Sequence, residues 1–193
     1  VIFNYNLIEN VGDKKLGVFG IYKYHEFNFD HNTVKNCNIS EYSCMIDLNN
    51  NLVFGSEYTL TDHRLIQCES YCQSGGGFGL WLPFSSNEQN IKEGKFTLRD
   101  CLFKGNKCAI SRGATLRIGY GGAYGAGFAS TCNTEIIIIN TTFIGNEAAK
   151  SGGALSLQTT EPATIFNCTF IKNIAREGGG AIYIKSYDGI SIE

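Results

Sequence analysis

Residues 164–184 read TIFNCTFIKNIAREGGGAIYI, and residues 138–157 before them read IINTTFIGNEAAKSGGALSL. Phe143 and Phe170 stand 27 residues apart, Asn146 and Asn173 follow each by three, and Gly152-Gly153-Ala154 and Gly179-Gly180-Ala181 follow each Asn by six. Three matched intervals in one phase mark an internal repeat, which decides the architecture before any element is assigned. Working toward the N-terminus, LRDCLFKGNKCAISRGATLRI (98–118) keeps Phe103, Asn106 and Gly113-Ala114. LIQCESYCQSGGGFGLWL (65–82) and VKNCNISEYSCMIDL (34–48) align through Cys68 and Cys37 with Cys101 and Cys168. VIFNYNLIENVGDKKLGVFGI (1–21) matches through Ile2-Phe3-Asn4 and Asn10. The units lie near 2–22, 34–48, 65–82, 98–118, 138–157 and 165–184, and DGISIE begins a further one.

Each unit carries two short runs rich in β-branched and aromatic residues, such as ATIFNCTF and GGAIYIK, separated by Gly and Asn, and none has a helical period. Two or three strands with tight corners, recurring at about 25 to 30 residues, form one coil of a solenoid. The reading is an all-β, right-handed parallel β-helix of about six coils, one segment over 1–193 of a longer solenoid. Stacked at roughly 4.8 Å, six coils make a rod roughly 30 Å long. Equivalent side chains then form ladders. Leu7, Ile39, Phe103, Phe143 and Phe170 are expected as an internal apolar column, with Asn10, Asn106, Asn146 and Asn173 at the corner after it. There the amides bond along the column, and Asn tolerates the left-handed backbone. The paired glycines supply a corner where positive φ or close approach excludes a Cβ. Insertions at about 50–64, 83–96 and 119–135 are expected as loops.

Composition narrows the function. Sixteen basic and eighteen acidic residues are scattered, and the net charge of -2 provides no field for nucleic acid or an anionic membrane. The longest apolar run, EIIIIN, is too short for a spanning helix, so no direct membrane insertion is expected. The 23 glycines and two prolines fit a chain with many tight corners.

The paired motifs FIGN with GGAL and FIKN with GGAI resemble the repeats of chlamydial polymorphic outer membrane proteins, well over 98–184 and partially over 1–82. The resemblance implies a pectin-lyase-like β-helix, a secreted or cell-surface location, and adhesion.

The eight cysteines are read against the repeats. Cys37, Cys68, Cys101 and Cys168 fall on one repeat position, read as a column of buried thiols with a single bridge inside it as the alternative. Cys44, Cys72, Cys108 and Cys132 lie off that column and are disulfide candidates in an oxidising compartment. No C-x-x-C occurs and the histidines are dispersed, so neither metal nor cofactor is expected. N-x-S/T occurs at Asn38, Asn140 and Asn167. The last two share a position with Asn4, Asn36, Gln67 and Asp100 in a second polar ladder, which leaves Asn38 as the candidate glycosylation site.

Two functions fit, with a pectinase-like enzyme as the rival. In the adhesin reading, loops such as 83–96 and 119–135 meet a receptor or glycan, with Tyr120, Tyr124 and Phe128 as contact residues. In the structural reading, the solenoid is a module of a filament, coat or appendage. A pectinase-like enzyme would need clustered carboxylates on one strand face. Asp62, His63 and Arg64, with Arg99 and Asp100 in the next unit, are the nearest approach, but adjacent strand residues face opposite sides. No catalytic residue is assigned. Neither terminus carries a polar cap, so further coils of the same chain or neighbouring subunits are expected at both ends.

Overall fold

A computed structural model describes residues 2–10, 12–13, 19–20, 26–39, 46–49, 56–66, 69–70, 78–81, 94–108, 116–118, 134–159, 163–186 and 190–192. These residues hold twenty-five short strands and no helix. Four sheets result, and within each every strand pairs in parallel with the strand four places on in the chain. The first sheet runs Ile2–Asn4, Glu26–Asp30, Ser56–Thr61, Gly94–Arg99, Thr134–Ile139, Ala163–Phe166 and Ile190–Ile192. The second runs Leu7–Glu9, Thr33–Lys35, Arg64–Ile66, Leu102–Lys104, Thr142–Ile144 and Thr169–Ile171. The third consists of two-residue strands, from Gly12–Asp13 to Ile174–Ala175. The fourth includes Phe78–Trp81, Leu116–Ile118, Leu155–Thr159 and Ile182–Ser186. The chain thus visits four sheets in fixed order and returns to the first one rung further on.

Period-2 alternation decides which side chains form the core. Phe96, Leu98, Ile136, Ile138 and Ile165 from the first sheet meet Val34, Leu65, Phe103 and Phe143 from the second and Leu155 and Leu157 from the fourth. Each such side chain contributes about 1.5–3 kcal/mol by leaving water. In EIIIIN the alternation holds although the four central residues are all Ile: Ile136 and Ile138 are buried, while Ile137 and Ile139 turn outward and are half-buried.

The register corrects part of the repeat alignment. Leu98, Ile138 and Ile165 are partners, but upstream of Leu98 the series continues through Leu60 and Phe29 to Phe3. The unit starts expected at Val34 and Leu65 therefore lie five residues late, and the one at Ile2 one residue early. The insertions also shrink, because Ser56–Thr61, Gly94–Arg99 and Thr134–Ile139 are paired strands. What remains lies between Asn49 and Ser56, Trp81 and Gly94, and Ile118 and Thr134, outside the described residues. All three links run from the fourth sheet to the first, where the next rung needs only residues 160–162. The largest length variation falls on this one kind of connection.

The two glycines of the repeat have different reasons. Gly152 and Gly179 carry φ of +67° and +58°. Gly153 has an ordinary φ, but a Cβ there would run into the Gly180 carbonyl oxygen and the Ile174 backbone. Gly153→Ala is therefore expected to destabilise by about 1–3 kcal/mol or more in urea denaturation. Gly178→Ala, where a Cβ finds open space with Ser151 Oγ at 4.0 Å, should stay within about 0.5 kcal/mol of wild type.

Candidate functional site: two corners and their ladders

The turn from the first sheet to the second is made by one left-handed residue per rung: Tyr5, His31, Asp62, Asp100, Asn140 and Asn167, with φ between 46° and 59°. Each of the first five donates its backbone N–H to a carbonyl of the next rung, as Asp62 does to Arg99 at 3.0 Å and Asn140 to Phe166 at 3.1 Å. Asn and Asp adopt this conformation more readily than most residues. Outward, these side chains form a row. Tyr5 stacks on His31 at 4.7 Å. His31 Nδ1 lies 2.8 Å from Asp30, and its Nε2 3.6 Å from Asp62. Asn140 donates to Asp100 at 3.1 Å, and Asn167 to Asn140 at 2.8 Å. Surface pairs of this kind contribute little energy each.

The residue after each corner points inward. These are Asn6, Asn32, His63, Cys101, Thr141 and Cys168, two residues ahead of the column Ile8, Val34, Leu65, Phe103, Phe143 and Phe170. Five of them close the corner the same way, donating to the carbonyl two residues back: Asn6 to Asn4 (2.8 Å), Asn32 to Asp30 (2.9 Å), Cys101 to Arg99 (3.1 Å), Thr141 to Ile139 (2.9 Å) and Cys168 to Phe166 (3.3 Å). The exception is His63. Its ring is fully buried, 4.7 Å from Phe29 and 6.2 Å from Phe103, and neither nitrogen has a hydrogen-bond partner. Burial pushes its pKa down to about 3, with the Asn32 backbone pulling weakly the other way. In Cys101 burial drives the thiol up to about 12, with backbone hydrogen bonding at His63 and Arg99 opposing.

The second corner repeats the device between the second and third sheets. Asn10, Asn36, Gly105, Gly145 and Lys172 are left-handed, and after the last four the next residue again turns inward: Cys37, Asn106, Asn146 and Asn173. There Asn106 gives both its backbone N–H and its Nδ2 to Asn146 Oδ1 at 3.1 Å. Asn146 does the same to Asn173 Oδ1 at 3.0 and 2.9 Å. Each Nδ2 also donates to the Phe-column carbonyl of the rung before: Leu65, Phe103 and Phe143 in turn. Beside this ladder Phe103 stacks on Phe143 at 5.2 Å, and Phe143 on Phe170 at 4.9 Å, with near-parallel rings.

Several expected placements differ. The apolar column contains Ile8 and Val34 where Leu7 and Ile39 were expected, and Leu7 is exposed. Asn10 is a left-handed corner residue, one position ahead of the Asn ladder. Cys37 does not share a column with Cys101 and Cys168: it follows Val34 by three, as Asn146 follows Phe143, and donates to Lys35 at 3.3 Å. The rung of Thr141 separates Cys101 from Cys168, and among the described residues Cys37, Cys101 and Cys168 form no disulfide. Cys68, Cys44, Cys72 and Cys132 lie outside the described residues, and of Cys108 only the backbone is described. In the second polar ladder Asp100, Asn140 and Asn167 come together, whereas Asn36 belongs to the other corner and Asn4 to a strand. Gln67 is outside the described residues, as are His25, Tyr120, Tyr124 and Phe128. Asn38 lies in the strand Asn38–Ile39, its side chain outside the described residues. The triplet Asp62-His63-Arg64 does not converge: Asp62 and Arg64 pair outside at 3.5 Å and His63 is inside. His63 carried a legible signal, standing two residues before Leu65 as Cys101 stands before Phe103, which the slipped alignment concealed.

The Chlamydia polymorphic membrane protein repeat matches residues 140–158 and 167–185. The chain matches no curated protein and no solved structure. Both matched segments start on a left-handed corner residue, Asn140 or Asn167, and run through the Asn ladder and the glycine corner into a strand of the fourth sheet. In these two repeats the chain is a repeat protein similar to the Chlamydia polymorphic membrane proteins.

Proposed function

We propose that the chain is a length of right-handed parallel β-helix, of the pectin-lyase-like class and about six coils long, displayed at the cell surface as a non-catalytic adhesive rod. The observation that carries this reading is the pairing of every fourth strand in four parallel sheets, together with the repeat match. Right-handedness follows from the strong preference of parallel crossovers for that hand. The buried polar side chains Asn32, Asn106, Thr141 and Asn146 serve corner hydrogen bonds, which supports a scaffold role. Adhesion is assigned to the long links 82–93 and 119–133, which leave neighbouring rungs along one edge, and to Tyr120, Tyr124 and Phe128 within them. The partner is a receptor or glycan.

The test replaces 119–133 with the short link 160–162 and measures binding to cultured cells and a glycan panel, with circular dichroism as the control for fold. Loss of binding with an unchanged β spectrum is expected; undiminished binding, or none by the wild-type chain, would remove the adhesive role. A filament module is the second reading, favoured by parallel sheets in which rung follows rung in one direction. In it, further coils or neighbouring subunits cover the outermost rungs. Electron microscopy separates the two, as free rods or as ordered filaments.

A further inference from the structure

We propose that His63 makes its rung an acid-released catch: below neutral pH the stack opens at the strands flanking Asp62 and His63, while the rungs joined by Asn106, Asn146 and Asn173 stay closed. The geometry is specific to this rung. Every other residue of the column satisfies its polar group with the carbonyl two residues back, and His63 alone does not. Its imidazole is instead fully buried between two aromatic rings, a site that suits the neutral ring: the Asn32 backbone favours the protonated form, but burial outweighs it. Charged groups surround the site but face outward. Asp30 and His31 come from the rung before, Asp62 and Arg64 from its own, and Arg99, Asp100 and Lys104 from the rung after; all are at least partly exposed. Among the described residues, the ionisable group inside beside the ring is the Cys101 thiol, which burial keeps protonated.

The sign follows from linkage. In the open state the imidazole titrates near its ordinary 6.5, and in the closed state at about 3. Closure is therefore fully favoured above pH 6.5 and weakens as pH falls from 6.5 toward 3. Between pH 7 and pH 5, above the usual carboxylate range, the opening equilibrium should rise roughly 25-fold. Among the described residues, the other rungs have no such group. Their closure rests on the Asn amides and stacked Phe rings, which do not titrate.

The experiment is amide hydrogen exchange by NMR at pH 7 and pH 5 on the full chain, read as protection factors. The Arg64 and Leu102 amides, which donate to the Asn32 and His63 carbonyls, should lose roughly 25-fold protection. The Ile174 amide, bonded to Asn146, should keep its own. In His63→Asn, which installs the residue already used at positions 6 and 32, the loss should disappear; His63→Leu is the second variant should Asn fail to fold. A wild-type loss that persists in the folded variant, or a His63 ring titrating near 6.5 in the folded chain, overturns the proposal.

Discussion

Phe143→Asp should leave the chain unfolded in buffer where the wild type is native. Phe143 is fully buried with a ring stacked on each face, so its removal alone costs about 3–5 kcal/mol. The carboxylate adds a desolvation cost of several kcal/mol, since nothing in the column can receive it. The sum matches the whole stability of an ordinary domain, about 5–15 kcal/mol. Phe170→Asp should be milder, because Phe170 is only half-buried and water can reach the new charge. Far-UV circular dichroism and urea titration check both, and a Phe143→Asp protein with native spectrum and unfolding midpoint would refute the stacked-column account.

Asn146→Leu is expected to cost about 3–5 kcal/mol. The amide oxygen receives two donors from Asn106, and the amide nitrogen serves Phe103 and Asn173. Leucine fills a similar volume but leaves the two buried Asn106 donors without an acceptor, at about 1–3 kcal/mol each. Asn173→Leu should cost less, since it sits half-buried at the end of the ladder. In a double-mutant cycle the two positions should couple by more than about 0.5 kcal/mol, because each satisfies the other. Strict additivity would show that the ladder contributes no joint stabilisation.

The rungs around Phe103, Phe143 and Phe170 were legible because one residue type marks each position: Phe inside, Asn three later, Gly at the next bend. Further toward the N-terminus the same letters mislead. Both corners use a left-handed residue followed by an inward one, and where the second corner uses Asn, Asn36-Cys37 looks like Asp100-Cys101 and Asn167-Cys168 of the first. Sliding one corner onto the other moves the frame by five residues and still places a Cys after a polar residue. Strands of two or three residues cannot arbitrate, since alternation over so short a run fits either frame. In the sequence Ser56–Thr61 reads as part of an insertion for a related reason: it adjoins a link whose length varies from rung to rung, and only pairing with Gly94–Arg99 separates strand from link.

The Asn ladder also has a direction. Every amide oxygen faces the rung before it, and every backbone N–H is given to the rung after. By the same pattern Asn173 turns its backbone N–H and Nδ2 toward the rung after it, beside a backbone carbonyl placed like that of Asn146, which accepts from Ile174. A two-fold axis through that face would set amide donor against amide donor within the ladder, so a closed, isologous contact does not reproduce the ladder's own pairing. Any rung that continues the ladder must be related to this one by a rise and a turn about a common axis, a heterologous contact that repeats without closing.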